Sequence, residues 1–253
     1  GHPNSPVIME PIFAIDMHVR ALSTASLSAM ADIMRATHLD EAIFASLCRE
    51  SDMYHVLQRC AILVSRMALT MPPPMFHDMV RATASWPDLC RRLISTSATL
   101  SLARSRKLVA LGLAHMLRHA SAQDKGLLSA VPDMIGMWTE VVGEVVEDEA
   151  GSADRYEREL SPTRALEIGE DGIPFLDEFG LIEAAPTPSS ARTDAVRSRD
   201  PSFNVPLRAY VADTLNAVLQ NGSYKTQLQS LLATIDPLVL DTLQRGLSER
   251  PVA

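Results

Sequence analysis

Aromatic residues are scarce, at 5% of 253, and glycine occurs only 11 times. Sheets draw on aromatic and β-branched side chains, so the shortage argues against a β-rich fold. No apolar run approaches the roughly 18 to 20 residues of a membrane helix, which excludes membrane insertion and points to a soluble chain. The opening Gly-His-Pro-Asn-Ser-Pro has no basic stretch leading into an apolar one, so residues 1–6 read as a junction remnant rather than a leader or a fold element. Cysteine is limited to Cys48, Cys60 and Cys90, odd in number, far apart and set among apolar positions. That pattern excludes a disulfide or zinc framework and fits reduced core thiols of an intracellular protein. Basic residues number 23 against 31 acidic ones, a net charge of −8, so direct nucleic-acid binding is not expected. Glycine-rich phosphate loops, dinucleotide fingerprints, the G-x-S-x-G elbow and H-E-x-x-H are all missing. Without them the common catalytic mechanisms have no scaffold, and neither an enzyme nor a cofactor is expected.

What is present is Leu, Ala, Val, Ile and 12 Met, a composition suited to packed helices. Leu27, Met30, Ile33 and Met34 recur at helical spacing, as do Ile43 and Leu47 behind a cap expected at Asp40. A longer stripe follows at Val56, Leu57, Cys60, Leu63, Val64 and Met67, and Pro72-Pro73-Pro74 ends it and starts the next helix around Phe76, Met79 and Val80. Ser85 with Pro87 opens another helix, Leu102 to Leu117 form the next, and Met134, Ile135, Trp138, Val141 and Val142 mark the most amphipathic one. In the tail, helices are expected from Val205 to Leu219, from Tyr224 to Leu232, and behind the Asp236 cap with Pro237 in first position. About ten helices in successive antiparallel pairs, joined mostly by short turns, predict an all-α fold: an α-solenoid of HEAT-like helix pairs.

One long acidic loop interrupts that pattern. Glu140 to Glu183 holds 14 acidic residues against three arginines, a local net of −11, which leaves the rest of the chain slightly basic. The chain divides into HEAT-like repeats at 7–148, an acidic, partly disordered linker at 149–203, and helices closing the solenoid at 204–249. Clustered carboxylates attract basic protein ligands, so Glu147, Asp148, Glu149, Asp154, Glu157, Glu159, Glu170 and Asp171 are the candidate cargo-binding residues. Within the linker, Ile173, Phe175, Leu176, Phe179, Leu181 and Ile182 form a stretch too apolar to remain in water, and are expected to dock on the chain's own helices.

Other candidates are weaker. His115 and His119 lie four apart without a third metal ligand nearby, and no metal site is expected. His55, three residues after Asp52, reads as part of a helix start. Methionines at 9, 17, 30, 34, 67, 71, 75 and 79 read as core filling, and Arg104, Arg106 and Lys107 as a solvated face.

Three stretches carry a resemblance. Trp86-Pro87-Asp88 is followed by Ala103-Arg104-Ser105-Arg106-Lys107-Leu108-Val109-Ala110-Leu111-Gly112-Leu113. An acidic break follows Val146, and the tail runs from Arg199-Asp200-Pro201 through Val205 and Leu207 to Ile235-Asp236, Val239 and Leu243-Gln244. In these the chain resembles the C-terminal region of importin-β-type nuclear transport receptors, most closely the importin-eleven branch. The resemblance implies HEAT repeats that bind basic protein cargo, meet pore proteins with Phe-Gly repeats, and shuttle between cytoplasm and nucleus. It implies Ran binding through N-terminal repeats that are not represented here. A HEAT-type scaffold with one stable partner is the alternative, and an all-α enzyme with an enclosed polar pocket is a third.

Overall fold

The computed structural model describes residues 12, 14–16, 18–19, 24–48, 54–124, 126–144, 200–220 and 222–248. After helical backbone at 12, 14–16 and 18–19, the helices are α1 (Thr24–Ala36), α2 (Leu39–Cys48), α3 (Tyr54–Thr70), α4 (Pro73–Thr83), α5 (Trp86–Ser97) and α6 (Ala103–Arg118). A 3-10 turn at Leu128–Ala130 leads into α7 (Val131–Glu144), and α8 (Pro201–Asn204), α9 (Leu207–Gln220), α10 (Gly222–Leu232) and α11 (Pro237–Ser248) complete the chain. There is no strand among the described residues.

Local sequence sets most of the boundaries. Thr70 ends α3, and Pro73 and Pro74 occupy the first turn of α4, where the missing N–H groups cost nothing. Ser85 caps α5 by accepting from the Asp88 N–H at 3.3 Å, while its hydroxyl donates to the Asp88 carboxylate at 2.6 Å. Asp236 caps α11 through the Leu238 N–H at 2.8 Å. Asp40 is not the cap expected of it. His38 takes a left-handed φ of 55° and turns the chain early, so α2 begins at Leu39 and the buried Asp40 lies in its first turn, accepting from the Glu41 N–H.

The helices stack in two layers. In one, α3 packs on α6 and α6 on α9; in the other, α2 packs on α5, α5 on α7 and α7 on α11. Helices also pack across the layers, as α2 on α3, α5 on α6 and α6 on α7 do. This is the all-α solenoid that the spacing predicts. The helices on either side of 145–199 share one hydrophobic core, in which Leu207, Val211 and Leu243 join Leu63, Met67, Leu111 and Trp138. Met34, Met67, Met71 and Met79 are buried there, and Met30 and Met75 pack partly buried against it.

Two positions depend on glycine. A Cβ on Gly112 would sit 2.8 Å from the Ser65 Cβ, so the closest approach of α3 and α6 has no room for a methyl group. Gly126 has φ +88° and lies against Pro87.

α3 and α6 are buried almost all round, which a plain two-layer stack does not require. Their remaining face is covered from opposite ends of the chain: α8 packs on α6, and Asp16 reaches Arg66 of α3.

Candidate protein-interaction surface

Every residue nominated from the acidic segment, from Glu147 to Asp171, and every residue of the apolar stretch from Ile173 to Ile182, lies outside the described residues. The described residues do show how that segment is anchored. On its N-terminal side, α7 presents Asp133, Glu140 and Glu144 to solvent. Arg106 of α6 pairs with Glu144 and lies 3.5 Å from Glu140, so the basic start of α6 grips the end of α7. On its C-terminal side, Asp200 caps α8, accepting from the Ser202 N–H at 2.9 Å and the Ser202 hydroxyl at 2.7 Å, with Pro201 in first position. Its other oxygen accepts from the Arg66 Nη1, and the Arg66 Nε lies 2.8 Å from Asp16 as an off-axis ion pair. All three side chains are buried, and two carboxylates around one guanidinium supply the charge balance that burial demands.

Arg104, Arg106 and Lys107 are therefore not the solvated face expected of them. Arg104 lies over the Phe203 ring at 4.7 Å, Arg106 is 14% exposed, and Lys107 is buried. The apolar period of α6 runs round the whole helix from Lys107 to Leu117, so no side of that stretch is left for a charged stripe.

A second polar hub was invisible in sequence. Asp124, buried in the turn after α6, accepts from His77 Nδ1 at 2.9 Å, Arg81 at 3.1 Å, Trp86 Nε1 at 3.1 Å, and the Ser121 N–H at 2.7 Å and hydroxyl at 2.8 Å. Burial pushes its carboxyl up, but the hydrogen bonds from His77 and Ser121 outweigh that and hold it below the usual carboxylate range. With its acceptor capacity filled by four residues, Asp124 binds α4 and the start of α5 to the 119–124 turn. Beside it opens a cleft of about 740 Å³ lined by Pro73, Pro74, His77, Arg81, His119 and Gln123.

His115 donates to or accepts from the Tyr210 hydroxyl, joining α6 to α9, and its ring lies 4.4 Å from that of His119. Burial first, then His119, His77 and Arg118 nearby, push His115 down to about 4. No group of three metal-ligating side chains forms among the described residues. Burial raises Cys60 and Cys90 to about 12, so both are protonated thiols. No described helix is long and apolar enough to cross a membrane.

Stacked helix pairs on a continuous core, with charged groups committed to joining elements, define an α-helical repeat protein of the class that recognises other proteins along an extended surface. The family model described as Importin-11-like, TPR repeats, matches residues 11–248, and the chain belongs to that family. The family's description names the repeats TPR where the sequence suggests HEAT-like pairs; both are stacked helix pairs. No curated protein and no solved structure matches the chain. The family places it among importin-type, non-enzymatic transport receptors, with nucleocytoplasmic traffic as their general setting.

Proposed function

We propose that this chain is the cargo-binding region of a karyopherin that carries protein through nuclear pores in a Ran-dependent cycle. Membership of the importin-eleven-like family over residues 11–248 is the observation that carries this reading. The cargo is a basic protein held without covalent chemistry, and the carboxylates Glu147, Asp148, Glu149, Asp154, Glu157, Glu159, Glu170 and Asp171 draw it in. Ile173, Phe175, Leu176, Phe179, Leu181 and Ile182 dock on the helices and fix that segment to the solenoid. Pore passage uses Phe-Gly repeat proteins, Ran-GTP is met by repeats other than these, and the receptor shuttles between cytoplasm and nucleus.

The test is the affinity for a fluorescent Arg- and Lys-rich peptide at about 50 and 200 mM salt, where the screening length falls from roughly 14 to 7 Å. Binding that weakens at least tenfold with salt, and tenfold again when the eight carboxylates become amides, is expected. Unchanged affinity at low salt after neutralisation overturns the cargo assignment. Salt-insensitive capture of one stable partner would instead identify a scaffold.

A further inference from the structure

Three imidazoles gather round the cleft beside Asp124. His77 and His119 line it, and the ring of His115 lies 4.4 Å from that of His119. The His119 N–H donates to the His115 carbonyl at 3.2 Å, so the two stand one helical turn apart on the same side of α6. No third ligand stands near this pair in sequence; the fold supplies His77 across the cleft. Burial first, and then neighbouring charges that include His77 in both cases, depress His115 and His119, so both rings are neutral at pH 7. His77 and His115 are also oriented from behind. The Nδ1 of His77 lies 2.9 Å from the Asp124 carboxylate, which only accepts, so that nitrogen carries the proton, and the Nδ1 of His115 meets the Tyr210 hydroxyl. Among the described residues the Nε2 of each is buried and meets no hydrogen-bond partner. Such atoms are rare and call for a water or an ion. An imidazole held at one nitrogen by an oxygen, with its other nitrogen bare, has the arrangement of a metal-ligating histidine.

We infer that His115 and His119 chelate a divalent transition-metal ion at this cleft, with cleft water completing its shell and the Nε2 of His77 accepting from that water. The protein ligands are two imidazoles, because no three ligating groups converge among the described residues. Neutral imidazole suits Zn²⁺, Cu²⁺ and Ni²⁺, and rings with no proton to lose at pH 7 bind them without competition. The Nε2 of His115 ligates when its Nδ1 carries the proton, which is then donated to the Tyr210 oxygen, so the ion also tightens the contact of α6 with α9. Of the nearby cations, Arg81 is balanced by Asp78 and Asp124, and Arg118 lies over the Tyr210 ring. The site stands apart from the transport reading and is open to either a carrier or a scaffold.

The experiment titrates Zn²⁺ into the whole chain, stripped beforehand with EDTA, near pH 7 by calorimetry. One equivalent is expected to bind, at least tenfold more weakly in His119→Ala, whose exposed side chain can be removed without unfolding the chain. Tyr210→Phe takes away the oxygen behind His115 and is expected to weaken binding by about tenfold. His55→Ala, which removes an exposed imidazole elsewhere, is expected to leave the affinity unchanged. Thermal unfolding is followed in parallel, with Zn²⁺ expected to raise the melting temperature of the parent and not that of His119→Ala. No saturable binding up to about 1 mM Zn²⁺ overturns the site. Unchanged affinity in His119→Ala, or an equal loss in His55→Ala, shows scattered surface binding and overturns it as well.

Discussion

Arg66 and Asp200 stand 134 positions apart and meet as a buried ion pair, with Asp16 on the other side of the same guanidinium. One side chain on α3 thereby joins Asp16 to the residue that caps α8. Arg66→Ala strands two buried carboxylates and is expected to cost about 3–5 kcal/mol in urea unfolding. Asp16→Asn, which leaves the Asp200 pair intact, is expected to cost clearly less. A loss below about 1 kcal/mol for Arg66→Ala would show that water reaches this triad.

Gly112→Ala places a methyl group 2.8 Å from the Ser65 Cβ and must push α3 and α6 apart, at about 1–3 kcal/mol. Gly136→Ala is the matched control, because no atom lies within 4 Å of its added Cβ. There the gain in helix propensity should stabilise by up to about 1 kcal/mol. Opposite signs in the two melting temperatures are the expected result; equal signs would place the tight contact elsewhere.

Acid should weaken the fold through His115. Its folded pKa of about 4 lies below the unfolded value of 6.5, so the unfolded chain binds the proton more readily. Stability is full above pH 6.5 and falls as the pH drops toward 4, by on the order of 2–3 kcal/mol. The groups facing it are His119, His77, Arg118 and the Tyr210 hydroxyl, none of which offers a carboxylate to accept the new charge. His115→Gln should flatten the slope of unfolding free energy against pH between 6.5 and 4. An unchanged slope would assign the effect to another group, His119 first, since burial lowers it as well.

The three thiols should react in a fixed order. Cys60 and Cys90, pushed up to about 12 by burial, are expected to stay unmodified by an aromatic disulfide reagent at pH 8 until urea unfolds the chain. Cys48 is only half-buried, though burial and Asp88 raise it too, and should react slowly and first. Rapid release of three equivalents from the native protein would contradict the packing of α3 and α5.

The helices that sequence revealed are those whose signals are local. Trp86-Pro87-Asp88 behind Ser85 and Asp236-Pro237 each combine a capping oxygen with a proline in the first turn, and both start helices where the residues say. Asp200-Pro201 has the same form but starts a helix of only four residues, too short to show an apolar period, and its role depends on Arg66. The described chain thus takes up again at Asp200, inside the stretch read as linker. The Asp124 hub left no mark on any periodic pattern, since His77, Arg81 and Trp86 reach it from two other helices. Arg106 and Lys107 misled for the opposite reason: a run of bases at a helix start suggests solvent, and only the packing of α7 and α9 on α6 shows that it is enclosed.

The clasp at Arg66 also sets a timetable for biosynthesis. A ribosome adding about 5–20 residues per second needs roughly 7 to 27 s to travel from Arg66 to Asp200. For that interval the nascent α3 has its guanidinium and its Asp16 partner in place and its Asp200 partner not yet made, while α6 awaits α9. The apolar sides of both helices are then uncovered, and the 54 residues from Asp200 onward complete the packing of the rest.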